Sequence, residues 1–72
     1  MYFQRLKDLR EDNDLQQQDV AAVLGISQSL YSRYERGEQT IPMPYLLKLA
    51  DFYHTTTDYI LGRTNQNKPV EP

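Results

Sequence analysis

Residues 15–37 read LQQQDVAAVLGISQSLYSRYERG, and this stretch decides the fold. Within it, residues 16–24 (QQQDVAAVL) form a helix with Val20, Ala21, Val23 and Leu24 turned inward on a 3.6-residue period. Gly25 stops that helix, because glycine takes the left-handed C-terminal conformation without strain. Ser27 follows and is a good N-cap, its hydroxyl able to accept from a backbone N–H that the first helical turn leaves unpaired. The helix that starts there runs to about Arg36 and meets a second stop at Gly37.

The helix after Ser27 carries the functional reading. Each residue advances about 100° around an α-helix. With Gln28 at zero, Ser32 lies near 40°, Arg36 near 80°, Ser29 near 100° and Arg33 near 140° (about 100° per residue). Leu30, Tyr34 and Tyr31 fall near 200°, 240° and 300°, and Glu35 near 340°, on the boundary toward the core (about 100° per residue). One half of the helix is apolar. The other offers amides, hydroxyls and two guanidiniums without a carboxylate. A solvated surface face would normally mix both signs, whereas this set suits base edges. Gln pairs with adenine N6 and N7, Arg with guanine O6 and N7, and Ser with several edges. The N-terminal residues, Gln28 and Ser29, would enter a major groove deepest. From the face alone, an ordinary polar surface helix remains the competing reading.

Working outward, residues 3–13 (FQRLKDLREDN) read as a helix with Phe3, Leu6, Leu9 and Arg10 on one face. Residues 37–43 (GEQTIPM) form a loop, because Pro42 drives its predecessor toward extended geometry. Pro44 is tolerated in the first turn of a fourth helix, whose buried stripe is Leu46, Leu49, Ala50 and Tyr53. Thr56 caps a short fifth helix (TDYIL) that ends at Gly62. Arg63 to Pro72 (RTNQNKPVEP) has one apolar residue apart from its prolines and reads as a polar, flexible tail. No strand-like alternation appears. The expected fold is all-α with five short helices, residues 1–62 forming the domain and 63–72 the tail.

Composition bounds the function class. The chain has 72 residues, 39% hydrophobic and 25% charged, so it is one globular domain. Cysteine is absent and His54, expected at the surface, is the only histidine, which leaves no ligand set for a structural metal. No cofactor is implied. No apolar run nears the roughly 20 residues that span a bilayer, and the N-terminus lacks a signal-peptide layout. A cytoplasmic protein without membrane partners is expected. There is no paired-carboxylate, nucleophile–base or phosphate-loop arrangement, so no enzyme and no small-molecule substrate are expected. The net charge is −2, with Asp8, Glu11, Asp12, Asp14 and Asp19 all in the first 19 residues. Residues 27–48 carry Arg33, Arg36 and Lys48 against Glu35 and Glu38. A phosphate-gripping protein is normally basic, so here the positive charge must act locally.

The stretch 15–37 resembles the Cro/repressor-type (XRE) helix-turn-helix family. The resemblance lies in Gln17, Ala21, the turn Leu24-Gly25-Ile26-Ser27, and Ser32-Arg33-Tyr34-Glu35-Arg36-Gly37. Leu6 to Arg10 (LKDLR) is similar to the family's first helix, and Pro42, Leu49-Ala50 and Asp58-Tyr59-Ile60-Leu61-Gly62 to its fourth and fifth. It spans roughly residues 3–62. The resemblance implies a repressor-like, sequence-specific regulator of transcription from bacteria or their phages, binding double-stranded DNA as a homodimer. Carried across position by position, Gln28, Ser29, Ser32 and Arg33 would face bases. Gln17, Arg36 and Thr40 would touch phosphates, with backbone amides of Gln39 to Met43. Arg10 and Glu35 would pair across the first and third helices as a structural ion pair. The chain departs from the family at Gln16 and Met43, which stand where small polar caps are usual.

The fifth helix with the end of the fourth is the candidate dimer surface, because Tyr59, Ile60 and Leu61 offer more apolar area than a short terminal helix needs; packing of all three inside the monomer is the competing role. Most tyrosines are expected to pack in the core with hydroxyls reaching the surface. The rival function is a helix-turn-helix scaffold used as a protein-interaction or antitoxin-like module, which the acidic N-terminal half favours.

Overall fold

A computed structural model describes residues 3–65 of the chain, so most of the expected tail, residues 66–72, lies outside the described residues. Five helices follow one another: α1 (Gln4–Asp12), α2 (Gln17–Leu24), α3 (Gln28–Arg36), α4 (Met43–Phe52) and α5 (Thr57–Ile60). No strand occurs among the described residues.

The helix ends follow local chemistry. The Ser27 hydroxyl accepts from the Leu30 backbone N–H at 3.2 Å, and Thr56 does the same for Tyr59 at 3.1 Å. Gly25 and Gly37 are left-handed, with φ of +71° and +79°. At each, the N–H of the next residue turns back into the helix: Ile26 donates to the Ala21 carbonyl at 3.0 Å, and Glu38 to that of Arg33 at 2.9 Å. At α2, the Asp19 carboxylate accepts from the Gln16 backbone N–H at 2.8 Å, so a carboxylate three residues on assists an end that lacks a hydroxyl cap. The fourth helix differs from expectation. Met43 is its first residue rather than its cap, and Pro42 holds the N-cap position in extended geometry. With Pro44 also in the first turn, two of the positions that would otherwise present unpaired N–H groups have none to satisfy.

The core joins all five helices: Leu6 and Leu9 from α1, Val20, Ala21 and Leu24 from α2, Tyr31 and Tyr34 from α3, Leu46, Leu49 and Ala50 from α4, and Ile60 from α5. Phe3 and Ile41 add to it from outside the helices, and Val23 is only half-buried. α3 packs on α2 and α1, α4 lies against α2 and α5, and α5 closes on α1. His54 is exposed at the end of α4, at a left-handed φ of +54°. Tyr31, Tyr34, Tyr45, Tyr53 and Tyr59 pack in or against the core, but two of their hydroxyls do not reach the surface. That of Tyr53 is buried without a hydrogen-bond partner, and that of Tyr31 is buried beside the Glu35 carboxylate. An aromatic ring of that length on an inward-facing position carries its oxygen into the protein rather than past it.

One long-range clamp closes the fold. Arg5 of α1 lays its guanidinium 4.0 Å from the centre of the Tyr59 ring. It also donates to the carbonyls of Tyr59, at 2.8 Å, and Thr64, and to Asn65 Oδ1 at 2.7 Å.

Candidate nucleic-acid interface

α3 is fixed by what it buries. Tyr31 and Tyr34 enter the core, and Glu35 follows them at 4% exposure. A carboxylate so placed is costly unless paired. Arg10 supplies the partner: its Nε donates to Glu35 Oε2 at 3.0 Å and its Nη2 to Oε1 at 2.8 Å. Its remaining arm, Nη1, donates to the Leu15 carbonyl at 2.9 Å, which ties the α1–α2 connection to the same unit. Burial alone would push the Glu35 carboxyl up, but the hydrogen bonds and charge of Arg10 hold it below the usual carboxylate range. The expected ion pair is therefore present. Burial, with the nearby Glu35 charge, also raises the phenols of Tyr31 and Tyr53, the latter to about 12.

With that face anchored, the opposite face points outward. Gln28, Ser29, Arg33 and Arg36 are exposed and Ser32 is half-buried. Together with Gln17 they line one open groove of about 420 Å³, and no carboxylate contributes to its lining. The structure thus brings the four candidate base-facing residues together with two of the three candidate phosphate ligands. Thr40 is exposed on the following segment but lies outside that lining. Gln17 is half-buried, and its side-chain amide donates to Glu35 Oε1 at 3.4 Å, so the buried ion pair reaches the groove wall through it. Ser27 orients the N-terminus of α3, and the basic residues of its last turn, Arg33 and Arg36, lie where the helix dipole favours cations.

Two features differ from the sequence reading. The Gln39 backbone N–H is turned onto the Arg33 carbonyl at 3.3 Å, so it does not point outward as a phosphate donor. Glu38, beyond the end of the helix, returns to its rim and pairs with Arg36 at 2.5 Å, while Gln39 Oε1 accepts from Arg33 Nη1 at 3.4 Å. The helical wheel ends at Gly37 and carries no information about these contacts. Of the candidate dimer residues, Ile60 belongs to the monomer core at 1% exposure and is not available to a partner. Tyr59 and Leu61 are half-buried, and the Tyr59 ring is covered on one face by Arg5. No helix among the described residues is long and apolar enough to cross a membrane.

Comparison with known proteins agrees with this geometry. The HTH_3 family model, described as helix-turn-helix, matches residues 6–60, nearly the whole described fold. The uncharacterized HTH-type transcriptional regulator YobD of Bacillus subtilis (strain 168) is 39% identical over 69 residues, 96% of this chain and 62% of that protein. The cryptic phage CTXphi transcriptional repressor RstR of Vibrio cholerae is 38% identical over 53 residues, 74% of this chain and 48% of the repressor. The antitoxin PezA of Streptococcus pneumoniae is 30% identical over 71 residues, 99% of this chain and 45% of the antitoxin. The chain therefore spans about half to six-tenths of the length of these relatives. No solved structure matches it. A recognition-type helix held outward by a buried ion pair, with a matching family model over 6–60, places the chain in the Cro/repressor-type (HTH_3) helix-turn-helix family.

Proposed function

We propose that this domain binds double-stranded DNA sequence-specifically and acts as a small transcriptional regulator, a repressor in the simplest form. The observation that carries the reading is the acid-free groove lined by Gln17, Gln28, Ser29, Ser32, Arg33 and Arg36. Laid in a major groove, α3 would present Gln28, Ser29, Ser32 and Arg33 to base edges, with Gln17, Arg36 and Thr40 to flanking phosphates. Relatives named as a transcriptional regulator and a phage repressor support this function class.

One such helix reads only a few base pairs, so useful specificity requires two copies on half-sites about 34 Å apart. The half-buried pair Tyr59 and Leu61, without Ile60, is the surface we assign to that contact. Selection of bound sequences from random duplex DNA tests both parts. A palindromic consensus whose half-sites are one helical turn apart is expected. Enrichment of nothing, even at low salt, would refute DNA recognition and favour a protein-interaction role of the kind that the antitoxin relative's name suggests.

A further inference from the structure

The groove cations are not free in the unbound domain. Arg36 pairs with Glu38 and Arg33 donates to Gln39, so both guanidiniums of α3 are engaged by the two residues that follow Gly37. This engagement is built by the backbone rather than by chance approach of long side chains. Gly37 turns left-handed, and the N–H groups of Glu38 and Gln39 both donate to the Arg33 carbonyl, at 2.9 and 3.3 Å. That turn delivers a carboxylate and an amide oxygen to the rim of the groove, where a phosphate oxygen would otherwise be bound. Carboxylate and phosphate compete for the same guanidinium geometry.

We propose that Glu38 is an internal stand-in for phosphate: it holds Arg36 in the free protein and must be displaced when the domain grips a duplex. The inference rests on the DNA-binding reading and adds to it a residue that sets affinity through competition. Arg36 and Glu38 are more than half exposed, so the pair contributes little to folding and can exchange partners readily. Because a phosphate contact carries no sequence information, the effect is equal on specific and random duplexes.

The test is a double-mutant cycle with Glu38→Gln and Arg36→Ala, read as duplex affinity across a salt series, on operator and random DNA. Glu38→Gln is expected to raise affinity about three- to tenfold at low salt. It should also steepen the log–log salt dependence slightly, by less than the roughly 0.9 of a whole phosphate contact, because salt weakens the competing carboxylate in the wild type while Arg36 reaches its phosphate in both proteins. In the Arg36→Ala background the same substitution should gain almost nothing. A wild-type chain that binds duplex while Glu38→Gln leaves affinity and slope unchanged overturns the proposal alone. So does an equal gain in the Arg36→Ala background, which would show general charge repulsion. Failure of all four proteins to bind any duplex would overturn the DNA-binding reading, and this inference with it.

Discussion

Glu35 holds a full charge almost out of contact with water, and Arg10 is what makes that position tenable. The net worth of such a pair is small, but removing one member strands the other. Arg10→Met keeps a long unbranched side chain and is expected to cost about 3 kcal/mol at neutral pH. The pH dependence follows from the direction of the Glu35 shift. In the wild type its carboxyl is held below the ordinary value, so its contribution is complete above the unfolded value of about 4.3 and is lost as pH falls through the folded one. In Arg10→Met the main group that lowers it is lost and burial is opposed only by weaker hydrogen bonds such as that from Gln17, so the carboxyl moves up and protonation relieves the stranded charge. The stability difference between the two proteins should therefore shrink as pH falls toward about 4, read by urea unfolding. A difference constant with pH would show that Arg10 does not act through Glu35. The pair was legible because both residues sit at the edge of an apolar face and match the family's pattern. The buried hydroxyls of Tyr31 and Tyr53 were not, because a helical wheel gives the direction of a side chain and not how deep its tip reaches.

At the scale of elements, the turn between α2 and α3 sets how the groove is presented. Gly25 is left-handed, yet a Cβ built there would meet nothing within 4 Å. Its requirement is one of backbone conformation and not of space. Gly25→Ala should thus destabilise by about 1–2 kcal/mol, and Gly25→Asn by less, since asparagine tolerates the left-handed region. Denaturant midpoints with unchanged slopes would check this; equal losses for the two variants would point to a contact that the turn does not display. The helix boundaries were readable because caps and stops act over three or four residues. What lay beyond such rules was harder: Pro42 displaces Met43 from the cap, Ile41 enters the core from a loop, and Glu38 and Gln39 fold back onto α3. None of these has a period to detect.

For the whole molecule, a net charge of −2 coexists with a groove that gathers two guanidiniums and no carboxylate, so charge is sorted by surface. The total therefore misleads about what one face can bind, and the acidic residues in the first two helices weigh on the balance without entering the groove. The order of helices was legible from turn signals, whereas the closure of α5 on α1 was not, since Arg5 and Tyr59 are 54 positions apart. That closure has a practical consequence. By gripping Tyr59, Thr64 and Asn65, Arg5 sets residue 65 beside the beginning of α1. A linker of about six residues, roughly 20 Å when extended, should join Asn65 to Phe3. With new ends opened at the exposed turn around Asp14, such a circular permutant should melt cooperatively with the parent's helical signal, and a broad, uncooperative melt would mean the clamp does not hold in solution. A fold whose residues 3–5 and 64–65 share one corner can be grafted into a loop of another protein through that single corner.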